Sequence, residues 1–487
     1  MFNPTNLQDY LLRLKRSERM RIAFLNPQGN FDSKDSYWTQ HPDFGGQLVY
    51  VKELAAAMSE MGIKTDIITR RIIDSKWPEF DSEFDAYTNN DNLRIIRVPC
   101  GPNEFLRKED LWPYLDEWSD RILEFYNRQK EQPDFLTGHY GDGGIASAMI
   151  SKKASVPYSF TAHSLGALKM DKLGINRENI NDFERIFHFS KRLAAERLSM
   201  KYSCINFVST EMERFEQYGH PKYEKWINVK DDSHFKVVPP GVNRKIFNEE
   251  PTDKDAAVVA LLKKYSKPLI ILSSRIDAKK NHLGVIKAFA TDQELREKAH
   301  LMIVVRGVEN VYESIEGLKE SEKKIVKEWL LYIKEHHLKD DISFFNANNQ
   351  QDLAALYRTA QFHHSIFCNP ALYEPFGLTV IEAMSCGLPV AATKNGGPSE
   401  ILSENGFKFG FLFDPEDVQS IISTLKAAIL QKKEYSHFSQ LSISRVLEKY
   451  TWKKTAQDYL KEIKPILAGY QTKEIDLSVF YKTLERL

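Results

Sequence analysis

Two doubly wound α/β domains, each built on a largely parallel sheet, are predicted by three features of this 487-residue sequence. Short apolar runs alternate with stretches whose apolar residues recur at helical spacing, the pattern of strands joined by crossover helices. That series stops at a Pro239-Pro240-Gly241 break and then starts again. The length suits two or three domains of roughly 100–200 residues. Its 42% hydrophobic and 12% aromatic content can fill their cores.

In the first half the expected strands are RIAFLNP from Arg21, KTDIITR from Lys64, RIIRVP from Arg94, DFLTGH from Asp134, YSFTAHS from Tyr158 and CINFVST from Cys204. After Gly45-Gly46, the residues Leu48, Val51, Leu54, Ala55 and Met58 share one helix face. VVPPGV at 237–242 closes the series, and the polar NEEPTDKD leads into the next. There the strands are PLIILSSR from Pro268, LMIVVRG from Leu301, DISFFN from Asp341, HSIFCNP from His364 and PVAAT from Pro389. This reading gives a Rossmann-like domain at 1–240, a second at 241–450, and a helical segment at 451–487 that packs back toward the first. Sheets of this kind bind ligands beyond the carboxyl ends of their strands, here in a central crevice faced by both domains.

Composition narrows the partners. Lys plus Arg equal Asp plus Glu at 67 each, which argues against nucleic acid or an anionic membrane held by bulk charge. No apolar run approaches the roughly 20 residues of a membrane span. The first residues, MFNPTNLQDYLLRLKRSER, carry an apolar stripe at helical spacing but no signal-peptide core. A cytoplasmic protein is expected. Cys100, Cys204, Cys368 and Cys386 form no Cys-x-x-Cys pair and are read as reduced, mostly buried thiols.

Three segments carry chemistry. In NPALYEPFGLTVIEAMSCGLP, Asn369 to Pro389, a strand ends and a helix begins near Pro375–Gly377. Backbone N–H groups of Phe376, Gly377 and Leu378 at that helix start suit a diphosphate. Glu374 and Glu382 flank the turn, placed to reach a sugar and a ribose. In SSRIDAKKN, Arg275 closes a strand and Lys280 follows five residues later, two cations for the charge that grows on a departing diphosphate. Gly45-Gly46 opens a helix after a long loop, where backbone can approach a phosphate or sugar closely. Asp253-Lys254-Asp255, the only Asp-x-Asp, follows no strand and is read as a solvated charge cluster rather than a metal site. The neighbouring pairs His336-His337 and His363-His364 point to different faces and share no metal. Asn348-Asn349-Gln350-Gln351 at a strand end is a candidate nucleobase contact.

These segments, with FGGQLVYVKEL, HYGDGG, AHSLG, PPGVN and TKNGGPSEIL, resemble the sucrose-phosphate synthase and sucrose synthase group, in matching order from Arg21 to Tyr459. The resemblance implies a retaining glycosyltransferase of the GT-B fold. It implies that Arg275 and Lys280 hold the donor diphosphate, Glu382 the ribose and Glu374 the glucose hydroxyls. Phe376, Gly377 and Leu378 supply backbone contacts, His163 lies at the reaction centre, and Gly46 and Gln47 sit between donor phosphate and acceptor sugar. It further implies a front-face reaction with no general base, no cofactor and no requirement for Mg2+.

The acceptor is read from a basic pair. Lys191-Arg192 precedes an Ala-Ala-Glu-Arg-Leu helix where sucrose-phosphate synthases carry two basic residues, though the second is usually matched by Arg rather than Lys at 191. With Lys169 these would hold an acceptor phosphate, and Tyr140 and Ser164 would complete the pocket. The expected reaction joins UDP-glucose to fructose 6-phosphate, giving sucrose 6-phosphate. Alternatives are sucrose synthase with free fructose, mannosylfructose-phosphate synthase, and a non-catalytic sugar-phosphate sensor. Because no long extension follows, a separate phosphatase is expected to act on the product.

Overall fold

The computed structural model describes residues 20–38, 41, 43–430 and 434–485. The amphipathic stretch 1–19 and Pro42 of the HPDFGGQ motif lie outside the described residues. Two compact units form: residues up to Val238 together with those from Thr455 onward, and Pro239–Lys454.

The first unit holds strands β1 (Arg21–Leu25), β2 (Lys64–Arg70), β3 (Phe84–Asp85), β4 (Leu93–Val98), β5 (Phe135–His139), β6 (Tyr158–Thr161), β7 (Ile205–Val208) and β8 (Phe235–Val237). Their order across the sheet is β3-β4-β2-β1-β5-β6-β7-β8, parallel throughout except for β3. Helices cover both faces, so strands such as β1 and β5 are buried along their whole length and read as continuous apolar runs. Asp66 interrupts the run in β2 because three partners satisfy its buried carboxylate. Arg21 Nη1 donates to both its oxygens at 3.0 and 2.9 Å, Arg94 does the same at 2.8 and 2.9 Å, and the Tyr126 hydroxyl adds a bond of 2.9 Å. One carboxylate thereby ties β1, β2 and β4 together.

In the second unit β9 (Leu269–Leu272), β10 (His300–Val305), β11 (Ile342–Asn346), β12 (Ile366–Asn369) and β13 (Val390–Thr393) are followed by a short hairpin, β14 (Ser403–Glu404) and β15 (Phe407–Lys408), and by β16 (Phe411–Phe413). The parallel sheet runs β11-β10-β9-β12-β13-β16. Counted in order of appearance this is 3-2-1-4-5-6, the Rossmann order, with its reversal between β9 and β12. In the first sheet the same reversal falls between β1 and β5. Among the described residues no helix is long and apolar enough to cross a membrane. Cys100, Cys368 and Cys386 are buried, Cys204 is half-buried, and all four are free.

Some expectations shift. The last strand of the first unit is Phe235–Val237 rather than a run beginning at Val237, because its final ladder bond comes from Val238 N–H to Val208 O at 2.8 Å and two prolines follow. Strands β3, β14, β15 and β16 span only two or three residues, too few to show a period. Gly241 lies against the chain at 451–452, where a Cβ would stand 2.0 Å from Trp452 N. No larger residue fits that approach.

The helix Trp452–Gly469 contributes Tyr459 to the first unit. Its ring stacks on Phe207 with centroids 3.7 Å apart, and its hydroxyl meets Tyr50 OH at 2.9 Å and Thr161 Oγ1 at 3.0 Å. Phe480, Leu477 and Ile475 join the core around Trp118. Replacing fully buried Tyr459 with Ala should destabilise the first unit by about 3–5 kcal/mol, and Tyr459→Phe by about 1 kcal/mol. Denaturant unfolding followed by probes in each unit should shift only the first unit's transition.

Candidate active site

Every candidate residue of the first unit except those of the Phe189–Tyr202 helix follows the carboxyl end of β1, β5 or β6. The loop after β1 is pinned by rings: Phe44 stacks on Trp77 at 5.7 Å, and Trp77 on Phe105 at 4.6 Å. Helix α1 (Gly46–Glu60) then begins with no side-chain cap. Its first N–H groups, at Gly46 and Gln47, have no acceptor among the described residues. A Cβ on Gly46 would meet none of the described residues within 4 Å.

Strand β6 ends at Thr161, so His163 does not close the strand; it stands two residues beyond, in a tight turn. Ser164 N–H donates to Ala162 O at 2.6 Å across His163, whose φ is +56°. This three-residue turn is rare and strained, and it throws the ring off the strand end. The edge of the Tyr50 ring meets His163 at 4.8 Å. His163 Nε2 lies 2.9 Å from His139 Nδ1, and burial pushes its pKa down to about 3. The ring is neutral at any physiological pH.

Arg192, one of the residues read as acceptor-binding, is anchored to a buried carboxylate. In helix α2 (Phe189–Tyr202), Arg192 is 4% exposed and its Nε donates to Glu196 at 2.8 Å. Arg192 Nη2 donates to Ser164 O at 2.9 Å, and its guanidinium lies 4.8 Å from the Tyr140 ring centre. Glu196 also accepts the N–H of Gly166 at 2.9 and 3.1 Å, and the Tyr223 hydroxyl. Arg192 is therefore first a strut, with Nη1 left without a hydrogen bond among the described residues.

Lys169 rises from the helix starting at Gly166 and rests 3.8 Å above the Phe187 ring. Burial, and then the neighbouring Arg192 charge, push its pKa down to about 8. It has no carboxylate partner among the described residues. Ser164, five residues earlier, is exposed, whereas Lys191 is half-buried and pairs with none of these groups among the described residues. Two residues escaped the sequence reading. Lys108 donates to Asp43 at 2.8 Å and lies close enough to perturb Lys169 and Tyr140. Its signal was Arg107-Lys108 on the long connection after β4. Asp142 of HYGDGG is 1% exposed, and burial pushes its carboxyl up to about 7. An acid inside a glycine-rich turn, unwanted near a phosphate, was the signal there.

In the second unit β9 ends at Leu272, so Arg275 does not close the strand but sits exposed on the loop beyond it. Asp277 caps the next turn by accepting from Lys279 N–H at 2.9 Å. Lys280 Nζ donates to Glu374 Oε2 at 2.7 Å, which brings together two residues expected to serve different parts of a ligand. The loop after β12 is braced twice: Leu372 N–H donates to Lys279 O at 2.9 Å, and Glu374 N–H to Asn395 O at 3.1 Å. Gly377 has φ +110°, a conformation that favours glycine, and caps helix α3 (Leu378–Ser385). The N–H groups of Phe376, Gly377 and Leu378 have no acceptor among the described residues. Free N–H groups at a helix start are an arrangement that suits an anion. The carboxylate of Glu382, on the same helix, has no hydrogen bond among the described residues, and burial raises its pKa to about 7.

Two other expectations resolve otherwise. Asp255 is not a solvated charge: it accepts from Arg358 at 2.9 and 3.1 Å, locking the helix Asp255–Leu262 to the helix Gln350–Phe362. Asn349 caps that second helix, accepting from Asp352 N–H at 3.0 Å.

Two Rossmann-ordered sheets, each with an uncapped helix start beyond its strand ends, are the parts of a GT-B fold, and comparison with known proteins gives the class as glycosyltransferase. The family model for the first GT-B domain of sucrose synthase matches residues 5–268, and that for group 1 glycosyl transferases matches 253–444. A probable sucrose-phosphate synthase of Thermosipho melanesiensis is 47% identical, over 91% of this chain and 96% of its own. The chain is 30% identical to the maize sucrose-phosphate synthase over 92% of its length, and spans 47% of that longer protein. The structure of a Thermosynechococcus elongatus sucrose-phosphate synthase superposes with a TM-score of 0.67 at 22% identity, covering 92% of this chain and 100% of the other. The chain belongs to the sucrose-phosphate synthase family.

The raised pKa of Glu382 allows a test of the ribose contact expected from the sequence. Hydroxyls donating to the ionised carboxylate would lower that pKa, so nucleotide affinity should weaken as pH falls through about 7. Calorimetric titration of a nucleoside diphosphate between pH 6 and 8 should show that slope, and Glu382→Gln should flatten it.

Proposed function

We propose that the chain transfers glucose from UDP-glucose to fructose 6-phosphate, giving sucrose 6-phosphate with retention and without a metal. The observation that carries this reading is Lys169. A half-buried lysine with a depressed pKa, beside Arg192 and Lys108 and with no carboxylate partner among the described residues, wants an anion. A phosphate dianion on the acceptor supplies it, and Arg192 Nη1 offers a second charge-assisted bond. On the donor side the free N–H groups at Phe376–Leu378 take a phosphate, Arg275 joins them, and Lys280 turns from Glu374 to the leaving diphosphate. Glu374 is then released to the glucose hydroxyls. The departing phosphate oxygen takes the acceptor's proton, and the protein supplies position and charge. A separate phosphatase consumes the product.

Lys169→Ala should lower kcat/KM for fructose 6-phosphate by roughly 10–100-fold and leave the weak rate with free fructose unchanged. Equal losses with both acceptors would remove the phosphate assignment, and a wild-type preference for free fructose would favour sucrose synthesis. Arg192→Ala is unsuited to this test, since it strands the buried Glu196 charge. Arg275→Ala should reduce kcat by roughly 10²–10³-fold. Activity that disappears with chelator and returns with a divalent ion would overturn the metal-free reading.

A further inference from the structure

Thr137 and His139 occupy alternate positions on β5, so both side chains leave the same face of the sheet. Thr137 Oγ1 is 2.9 Å from His139 Nε2, and His139 Nδ1 is 2.9 Å from His163 Nε2. The two imidazole planes lie 22° apart with centroids 5.2 Å apart, an end-to-end arrangement, and the Phe24 ring lies parallel to His139 at 5.8 Å. These contacts hold the three polar groups in one line, and His163 Nδ1 at its end makes no hydrogen bond among the described residues.

Each of the two contacts carries one proton, so two orders are possible. In the first, Thr137 O–H donates to His139 Nε2, and His139 Nδ1–H donates to His163 Nε2. In the second, His163 Nε2–H donates to His139 Nδ1, and His139 Nε2–H donates to Thr137 Oγ1. The second order leaves the Thr137 hydroxyl hydrogen pointing into a dry interior, with no acceptor among the described residues. A buried donor without a partner forfeits the whole of its hydration, whereas an unused lone pair on a hydroxyl costs little. The first order satisfies every hydrogen but the one on His163 Nδ1, and that one sits on a partly exposed ring rather than in the interior. Neither ring can escape the choice by taking a second proton, because burial holds both well below the ordinary histidine range.

We propose that Thr137 and His139 are positioning residues that fix His163 as the tautomer protonated on Nδ1, so that its free nitrogen can only donate. The consequence for catalysis rests on the reading that His163 faces the donor sugar. A ring locked as a donor presents N–H to a sugar hydroxyl or glycosidic oxygen and cannot remove a proton from the acceptor. This agrees with a reaction in which the leaving phosphate takes that proton.

The test uses the free protein labelled with ¹⁵N-histidine, with the His163 signals identified by their loss in His163→Asn. Long-range proton–nitrogen correlation should show His163 protonated on Nδ1 and bare on Nε2. Thr137→Val should move His163 away from that single tautomer, Thr137→Ser should restore it, and His139→Phe, which keeps a ring beside Phe24, should also release it. The kcat of Thr137→Val should fall by roughly fivefold at unchanged acceptor KM. A His163 protonated on Nε2 in the wild type, or a tautomer indifferent to Thr137→Val, overturns the relay. The predicted tautomer with an unaltered kcat in Thr137→Val upholds the relay and removes His163 from the reaction centre.

Discussion

A carboxylate cut off from water must receive all its hydrogen bonds from the protein, and Glu196 receives them from three directions. Arg192 comes from its own helix, Gly166 N–H from the start of an earlier one, and Tyr223 from beyond both in the chain, while Arg192 reaches on to the Ser164 carbonyl. Its place among these donors sets where the turn at His163, the Lys169 helix and the Phe189–Tyr202 helix can stand relative to one another. Such an ion pair contributes little net stability compared with an apolar substitute, but breaking it by half is severe. It serves as a specification of geometry.

Other groups in each unit are left unfinished. The helix starts at Gly46 and Gly377 keep N–H groups without acceptors among the described residues, and Lys169 and Glu382 carry charges that burial disfavours. Each such omission costs stability in the free chain, and each is of a kind that a ligand of matching chemistry could repair. Lys280 and Glu374 follow the opposite course, since each satisfies the other.

The buried parallel strands were legible because two covered faces demand apolar residues at nearly every position, as in RIAFL and LIIL. Gly377 was legible too, because few residues tolerate its backbone conformation. Where the reading slipped, the cause was geometric. His163 and Arg275 each stand beyond their strand ends, displaced by turns that no periodicity announces. Lys280 meets Glu374 across 94 positions, and Lys108 meets Asp43 across 65, separations that a local pattern cannot register. The Arg192–Glu196 pair was within reach, four apart on a predicted helix, but its burial was not, since basic residues are ordinarily taken for surface.

Tyr459 fills the first unit's core from the far side of the entire second unit in the chain. At about 5–20 residues per second, synthesis of Pro239–Lys454 takes on the order of tens of seconds. Throughout that interval the first sheet has emerged from the ribosome with the Phe207 face and the Tyr50 and Thr161 hydroxyls still waiting for their partner. The second unit, whose residues are contiguous, can complete itself as it is made. The unit that begins the chain is therefore the last to finish folding, and it is the one that a nascent-chain chaperone would have to guard.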